Sequence, residues 1–182
     1  MNNFFKDKKA IYIKNQGFTL IELMVVIVII GILVTMGIFA FQSSQKKSRD
    51  ARRKEDLSQI SKALEMYNND HGAYPPASAD GLIKGCGIGF TEPCDWTTTF
   101  GNDSTVTYMV KLPKDPTSTW NYMYKEATKG YYLYARLENL EDSSFPESGP
   151  IEYTDVYCAS GVYCNYVLTS SNTTQPIGIS VP

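Results

Sequence analysis

The stretch KNQGFTLIELMVVIVIIG, Lys14 to Gly31, places one carboxylate inside a long apolar run. Glu22 is the only charged residue among the 24 residues from Phe18 to Phe41. A helix of that length rises about 36 Å, which is enough to cross a hydrocarbon core of about 30 Å. We therefore predict a transmembrane helix over residues 18–41.

The cost of burying Glu22 does not rule out membrane insertion. Sixteen residues of the run are Ile, Leu, Val or Phe, and each favours insertion by roughly 0.3–0.6 kcal/mol. Their sum outweighs the roughly 2.5–3.5 kcal/mol assigned to an Asp at the centre of a span. Insertion alone therefore explains how Glu22 is tolerated but not why it is present.

The residues that precede the apolar run carry four lysines and end in a glycine. The leader MNNFFKDKKAIYIKNQG, followed by FTLIE and the apolar helix, resembles the prepilin signal of type IV pilins and type II secretion pseudopilins. The resemblance implies that residues 1–17 are a leader peptide. It also implies that a prepilin peptidase cleaves between Gly17 and Phe18 and that Phe18 becomes N-methylated.

The resemblance also implies a role for Glu22 in assembly. Cleavage would create an α-ammonium group on Phe18, four residues before Glu22 and therefore one helical turn away. In the family, the matching glutamate is expected to pair with the N-terminal amine of the neighbouring subunit. Glu22 would then set the register of a homopolymer of identical subunits. The alternative is a single-pass anchored binding or sensor protein that never polymerises, with Glu22 as a passive carboxylate.

A cluster of six cations follows the apolar run, and it outnumbers the lysines of the leader. Its members are Lys46, Lys47, Arg49, Arg52, Arg53 and Lys54. The positive-inside rule, taken alone, would place the C-terminal part in the cytoplasm, whereas the prepilin motif indicates the opposite. We expect the cluster to be a solvated helix face. Contacts between subunits, with lipid headgroups or with nucleic acid are the alternatives.

The helix is predicted to continue beyond the apolar run as an amphipathic segment over residues 42–70. Apolar residues recur there at spacings of 3, 4 and 3, as on one helical face; they are Leu57, Ile60, Leu64 and Tyr67. Gly72 and the two prolines that follow it end the helix.

Residues 71–182 are predicted to form an extracytoplasmic globular head. We expect a variable loop over 71–105, then a β-sheet region and C-terminal tail over 106–182. The clearest strand pattern is WNYMYKEATKGYYLYARLE, residues 120–138, where apolar and aromatic side chains alternate on both sides of a turn at Gly130. The fold class is therefore α+β and pilin-like, with one long N-terminal helix packed against a small antiparallel sheet.

All four cysteines, Cys86, Cys94, Cys158 and Cys164, lie in the predicted head. Four cysteines allow three disulfide pairings, and the short spacings of 8 and 6 residues favour the two local ones. Free thiols and a zinc site are the alternatives, although the chain has no C-x-x-C pair and only one histidine. Disulfides would place the head outside the cytoplasm.

No constellation in the sequence suits catalysis, and we expect neither an enzyme nor a cofactor. No metal site is expected either, because ENLEDSSFPESG, the nearest equivalent of the pseudopilin calcium loop, lacks D-x-D-x-D-G spacing. Residues 71–182 hold 6 Lys and Arg against 12 Asp and Glu, and this acidic balance argues against nucleic acid as a partner.

The partners implied by the resemblance are the prepilin peptidase, a cytoplasmic assembly ATPase, an inner-membrane platform protein and membrane lipid before assembly. The implied location is the inner membrane, then a periplasmic or cell-surface filament. A type IV pilus, a secretion pseudopilus and a DNA-uptake filament all stay open. The end of the helix favours a pseudopilin, whereas the cysteine-bearing tail favours a pilus.

Overall fold

The computed structural model describes residues 17–102 and 106–180 of the 182-residue chain. Except for Gly17, the predicted leader 1–17 lies outside the described residues. The chain divides into two compact units, Met1–Phe41 and Gln42–Pro182. Helix α1 runs from Leu20 to His71, so its first 22 residues belong to the first unit and the others to the second.

In the first unit, α1 presents its apolar side chains to solvent. Leu20, Val26 and Leu33 are between 48% and 76% exposed. The other described apolar side chains of this segment are also about half exposed or more. No helix in the described part of the chain has the length and apolar character needed to cross a membrane. The span predicted over residues 18–41 therefore stays a prediction.

In the second unit, α1 buries the face that the sequence spacing indicates. Leu57, Ile60 and Leu64 are fully buried, and Tyr67 is almost so. The helix ends where Gly72 adopts a positive φ of 72° and donates its backbone N–H to the Asn68 carbonyl at 2.8 Å. A glycine suits this position because it has no Cβ to oppose the left-handed conformation.

Four small antiparallel sheets make up the β structure in the described part of the second unit. The strands in chain order are β1 Ile83–Cys86, β2 Glu92–Cys94, β3 Phe100–Asn102, β4 Val106–Met109, β5 Met123–Ala127, β6 Gly130–Ala135, β7 Ile151–Ala159, β8 Val162–Cys164, β9 Tyr166–Thr169 and β10 Ile179–Ser180. The sheet orders are β1-β2, β3-β4, β5-β6-β9 and β10-β7-β8. Together with the long helix, these sheets confirm the α+β, pilin-like fold class.

The segment 71–105, expected to be a variable loop, contains three short strands. Strands β1 and β2 pair with each other, and β3 pairs with β4. Phe100 is fully buried in the hydrophobic core that includes the buried face of α1. Its ring stacks on Tyr67 at a centroid distance of 5.7 Å. Strands of three or four residues are too short to show a period of two, so the sequence pattern does not reveal them.

The predicted hairpin of residues 120–138 forms β5 and β6, with Ala127 opposite Gly130 at the turn. One face of β6 carries Tyr131 and Leu133 into the core beside the helix. The other face is also buried, because Tyr134 packs in a second core formed by the β7-β8 sheet. Strand β6 is therefore the central layer of the head.

Candidate assembly site and buried charge network

The start of helix α1 is a reciprocal capping arrangement between Thr19 and Glu22. The Thr19 backbone N–H and hydroxyl donate hydrogen bonds of 2.8 and 2.7 Å to the Glu22 carboxylate. In return, the Glu22 backbone N–H donates to the Thr19 hydroxyl oxygen at 3.3 Å. This is a capping box, which satisfies N–H groups that have no partner within the helix.

The capping box gives Glu22 a structural role that our sequence analysis missed. The signal was present, because T-x-x-E before an apolar run is the usual sequence form of this motif. It places the Glu22 carboxylate in the first turn, where the helix dipole favours negative charge. Gly17 and Phe18 precede the helix and are exposed, so the peptide bond between them lies outside regular structure.

A second group of charges is buried between helix α1 and the head, around Arg53 of the helix, whose side chain is inaccessible to solvent. Its Nε and Nη2 donate to the two carboxylate oxygens of Asp115 at 2.8 and 2.9 Å. Nη1 donates to Asp50 at 2.6 Å and to Glu138 at 2.9 Å. Nη2 also donates to the Thr117 hydroxyl at 2.8 Å. All five N–H groups of the guanidinium are therefore used.

The network keeps Arg53 charged despite its burial. Burial alone would lower the pKa of Arg53, but the hydrogen bonds and charges of Asp115, Glu138 and Asp50 outweigh it and raise that pKa. A buried charge is tolerated when it is paired and hydrogen-bonded in this way.

The same charges fasten the loop that follows β6 to the helix. The Asp50 carboxylate accepts hydrogen bonds from the backbone N–H groups of Glu138 and Asn139, at 3.0 and 2.8 Å. Arg49 pairs with Glu138, and Lys54 pairs with Asp142. The segment ENLED is thus held by ion pairs.

No group of three or more metal-binding side chains occurs among the described residues.

The basic cluster therefore differs from the solvated helix face that the sequence suggested. Three of its six cations, Arg49, Arg53 and Lys54, bind carboxylates of the head. Lys46 and Lys47 are exposed, and the Arg52 side chain is 66% exposed. The sequence missed this division because the partners Asp115 and Glu138 lie 62 and 85 residues from Arg53.

The charge network predicts acid sensitivity centred on Glu138. The hydrogen bond from Arg49, helped by Arg53, lowers the pKa of Glu138 from 4.5 to about 2. A lowered folded-state pKa stabilises the fold above pH 4.5, and this contribution disappears as the pH falls to about 2. We expect a loss of about 2 kcal/mol over that interval, because Arg49 is partly exposed and water screens its pair with Glu138.

The measurement is chemical unfolding at a series of pH values for the wild type and Glu138→Gln. The variant should lose this part of the pH dependence, whereas Glu141→Gln, at an exposed position of the same loop, should retain it. Equal pH profiles for the wild type and Glu138→Gln would show that this pair does not contribute.

The structure contains two disulfide bonds, and they are the local pairings. Cys86–Cys94 links β1 to β2 with a Cα–Cα distance of 5.3 Å, and Cys158–Cys164 links β7 to β8 at 5.1 Å. No cysteine is free. The expectation of disulfide bonds is confirmed, and the pairing that the sequence left open is resolved.

Comparisons with known proteins point to the same N-terminal segment and extend into the head. A family model described as the prokaryotic N-terminal methylation motif matches residues 13–38, which include Gly17, Phe18 and Glu22. The type II secretion system core protein G of Pseudomonas aeruginosa is 34% identical over 119 residues, which cover 64% of this chain and 76% of that protein.

Two further relatives are also type II secretion system core proteins G. The type II secretion system core protein G of Klebsiella pneumoniae is 30% identical over 135 residues, covering 74% of this chain and 90% of the relative. The protein of that name from Escherichia coli K12 is 32% identical over 103 residues, covering 57% and 67%. No solved structure matches the chain.

Proposed function

Since the chain belongs to the pseudopilin family of the type II secretion system core protein G, we propose that it is a structural filament subunit rather than an enzyme. In this proposal a prepilin peptidase cleaves between Gly17 and Phe18, and Phe18 is then N-methylated. The remaining chain polymerises through the helix that begins at Leu20. The relatives favour a secretion pseudopilus over a type IV pilus or a DNA-uptake filament.

The observation that carries the proposal is the methylation motif, whose matched residues include the exposed apolar start of helix α1. The motif spans residues 13–38. The described apolar side chains between Leu20 and Leu33 are about half exposed or more, and an apolar surface of this extent needs a cover. Lipid covers it first, over residues 18–41, and other copies of the chain cover it after assembly.

Glu22 supplies the specificity of assembly in this proposal. In the precursor, its carboxylate accepts hydrogen bonds only from Thr19 among the described residues. After cleavage, the α-ammonium group of Phe18 on a neighbouring copy becomes a stronger partner, because opposite charges attract strongly in apolar surroundings. A carboxylate in such surroundings is costly unless paired, so only a register that pairs it is stable.

The other partners follow from the same proposal. Assembly needs the prepilin peptidase, a cytoplasmic ATPase and an inner-membrane platform protein. The head lies outside the cytoplasm, and the two disulfide bonds support this location because disulfides persist in oxidising compartments.

Electron microscopy of sheared surface material and of periplasmic extracts tests the proposal, with antibody against the head as the label. We expect labelled filaments from the wild type and none from Gly17→Trp, whose bulky side chain should block cleavage while leaving the head folded. Labelled protein found only as single subunits in the membrane would favour an anchored, non-polymerising protein instead.

A further inference from the structure

The structure separates the basic cluster of residues 46–54 into cations that hold the head together and cations that do not. Arg49, Arg53 and Lys54 bind carboxylates of the head. Lys46 and Lys47 are exposed, and neither forms an ion pair with any carboxylate of the described residues. These two lysines, called here the lysine pair, need an explanation outside the folded head.

The position of the lysine pair matches the headgroup layer of a membrane. Lys46 lies five residues after Phe41, the last residue of the apolar run, which is about 7.5 Å along a helix. The polar layer on each side of the hydrocarbon core is about 5–7 Å thick. The Cα–Cβ bonds of a helix tilt towards its N-terminus, and long lysine side chains extend to place their ammonium groups at a polar surface.

We propose that Lys46 and Lys47 bind the phosphate groups of anionic lipids while the subunit is held in the membrane. The inference rests on the membrane stage of the proposed function. The charge of the head supports this proposal. Residues 71–182 carry a net charge of −6, so an anionic membrane surface repels the head. Two cations at the base of the head offset that repulsion and fix the depth of the helix.

The arrangement of the lysine pair favours lipid over a second copy of the chain. Successive residues on a helix point about 100° apart, so Lys46 and Lys47 face different directions. Lipid headgroups surround a spanning helix on all sides and can reach both lysines. A protein surface approaching from one side would reach one of them more easily than both.

The test is lipid selectivity of the full chain in phosphatidylcholine vesicles that contain a trace of spin-labelled phosphatidylglycerol. Electron spin resonance measures how strongly the labelled lipid associates with the protein relative to labelled phosphatidylcholine. One exposed ion pair between an ammonium and a lipid phosphate contributes up to about 1 kcal/mol, which corresponds to a preference of up to about five-fold. We expect Lys46→Gln/Lys47→Gln to lower the preference of the wild type by up to about that factor for each lysine removed.

The control is Lys62→Gln/Lys111→Gln, which removes the same charge from two exposed lysines, one on helix α1 and one in the head. Lys62 lies 15 residues beyond Lys47 on the same helix, about 22 Å further from the apolar run, so this variant should retain the preference. The leader lysines are present in every variant and cancel in the comparison. High salt should weaken the preference of the wild type.

Two results would overturn the inference: an unchanged preference in Lys46→Gln/Lys47→Gln, or an equal loss in the control. An unchanged preference in a variant that also forms fewer filaments in cells would assign the lysine pair to contacts between copies. If alkaline extraction released the wild type from the vesicles, the membrane stage of the proposed function would fail, and the inference with it.

Discussion

Replacing Arg53 with alanine is expected to lower the free energy of unfolding of the head by about 3–5 kcal/mol. The guanidinium binds Asp50, Asp115 and Glu138 with no exposure to solvent. Its removal would leave three carboxylates facing one another with their shared cation gone. The loss is a large part of the about 5–15 kcal/mol that stabilises an ordinary domain.

Guanidinium chloride unfolding of the full chain in detergent, followed by tyrosine and tryptophan fluorescence, measures the effect. Arg52→Ala is the matched control, because Arg52 is the neighbouring residue but is 66% exposed and lies 3.9 Å from Asp56. A surface pair of that kind contributes at most about 1 kcal/mol. The difference between the two variants should shrink at low pH, where the carboxylates are protonated. Equal losses at neutral pH would contradict the buried network.

Replacing Glu22 with glutamine is expected to abolish filament formation while leaving the head as stable as before. Glutamine at this position can still accept the hydrogen bonds from Thr19, since capping boxes use either Glu or Gln. The variant therefore removes the charge and keeps the cap. Loss of a charge pair in apolar surroundings costs about 3–5 kcal/mol per contact, and a polymer repeats that loss at every subunit.

The matched control for Glu22→Gln is Thr19→Ala. This second variant removes the two hydrogen bonds made by the Thr19 hydroxyl, which costs about 1 kcal/mol of helix stability, and keeps the charge. Filament yield in sheared material, normalised to the amount of subunit in the membrane, is the measurement. If Glu22→Gln assembled normally and Thr19→Ala did not, Glu22 would act as a helix cap rather than as an assembly charge.

Local sequence patterns predicted the elements that depend on neighbouring residues. The spacing of Leu57, Ile60, Leu64 and Tyr67 indicated the buried face of the helix, and all four are buried. The alternation around Gly130 indicated the β5-β6 hairpin, which forms with Ala127 opposite Gly130. Each of these features repeats with the period of one helix or strand, so the local sequence is sufficient to predict which side chains are buried.

Features that depend on distant contacts could not be predicted. Arg53 belongs to a polar cluster of the helix, and its burial follows from Asp115 and Glu138 arriving from two loops far along the chain. Tyr134 is buried because a second core covers the outer face of β6. The capping box of Thr19 and Glu22 differs from these features, because the T-x-x-E pattern of four residues is sufficient to predict it.

Intact mass and N-terminal sequencing of protein from native membranes or sheared material test whether the chain is a processed filament subunit. Processing predicts a chain that begins at Phe18, one methyl group heavier than its sequence and four hydrogens lighter because of the two disulfide bonds. A chain that still begins at Met1 or Asn2 in both fractions would contradict it.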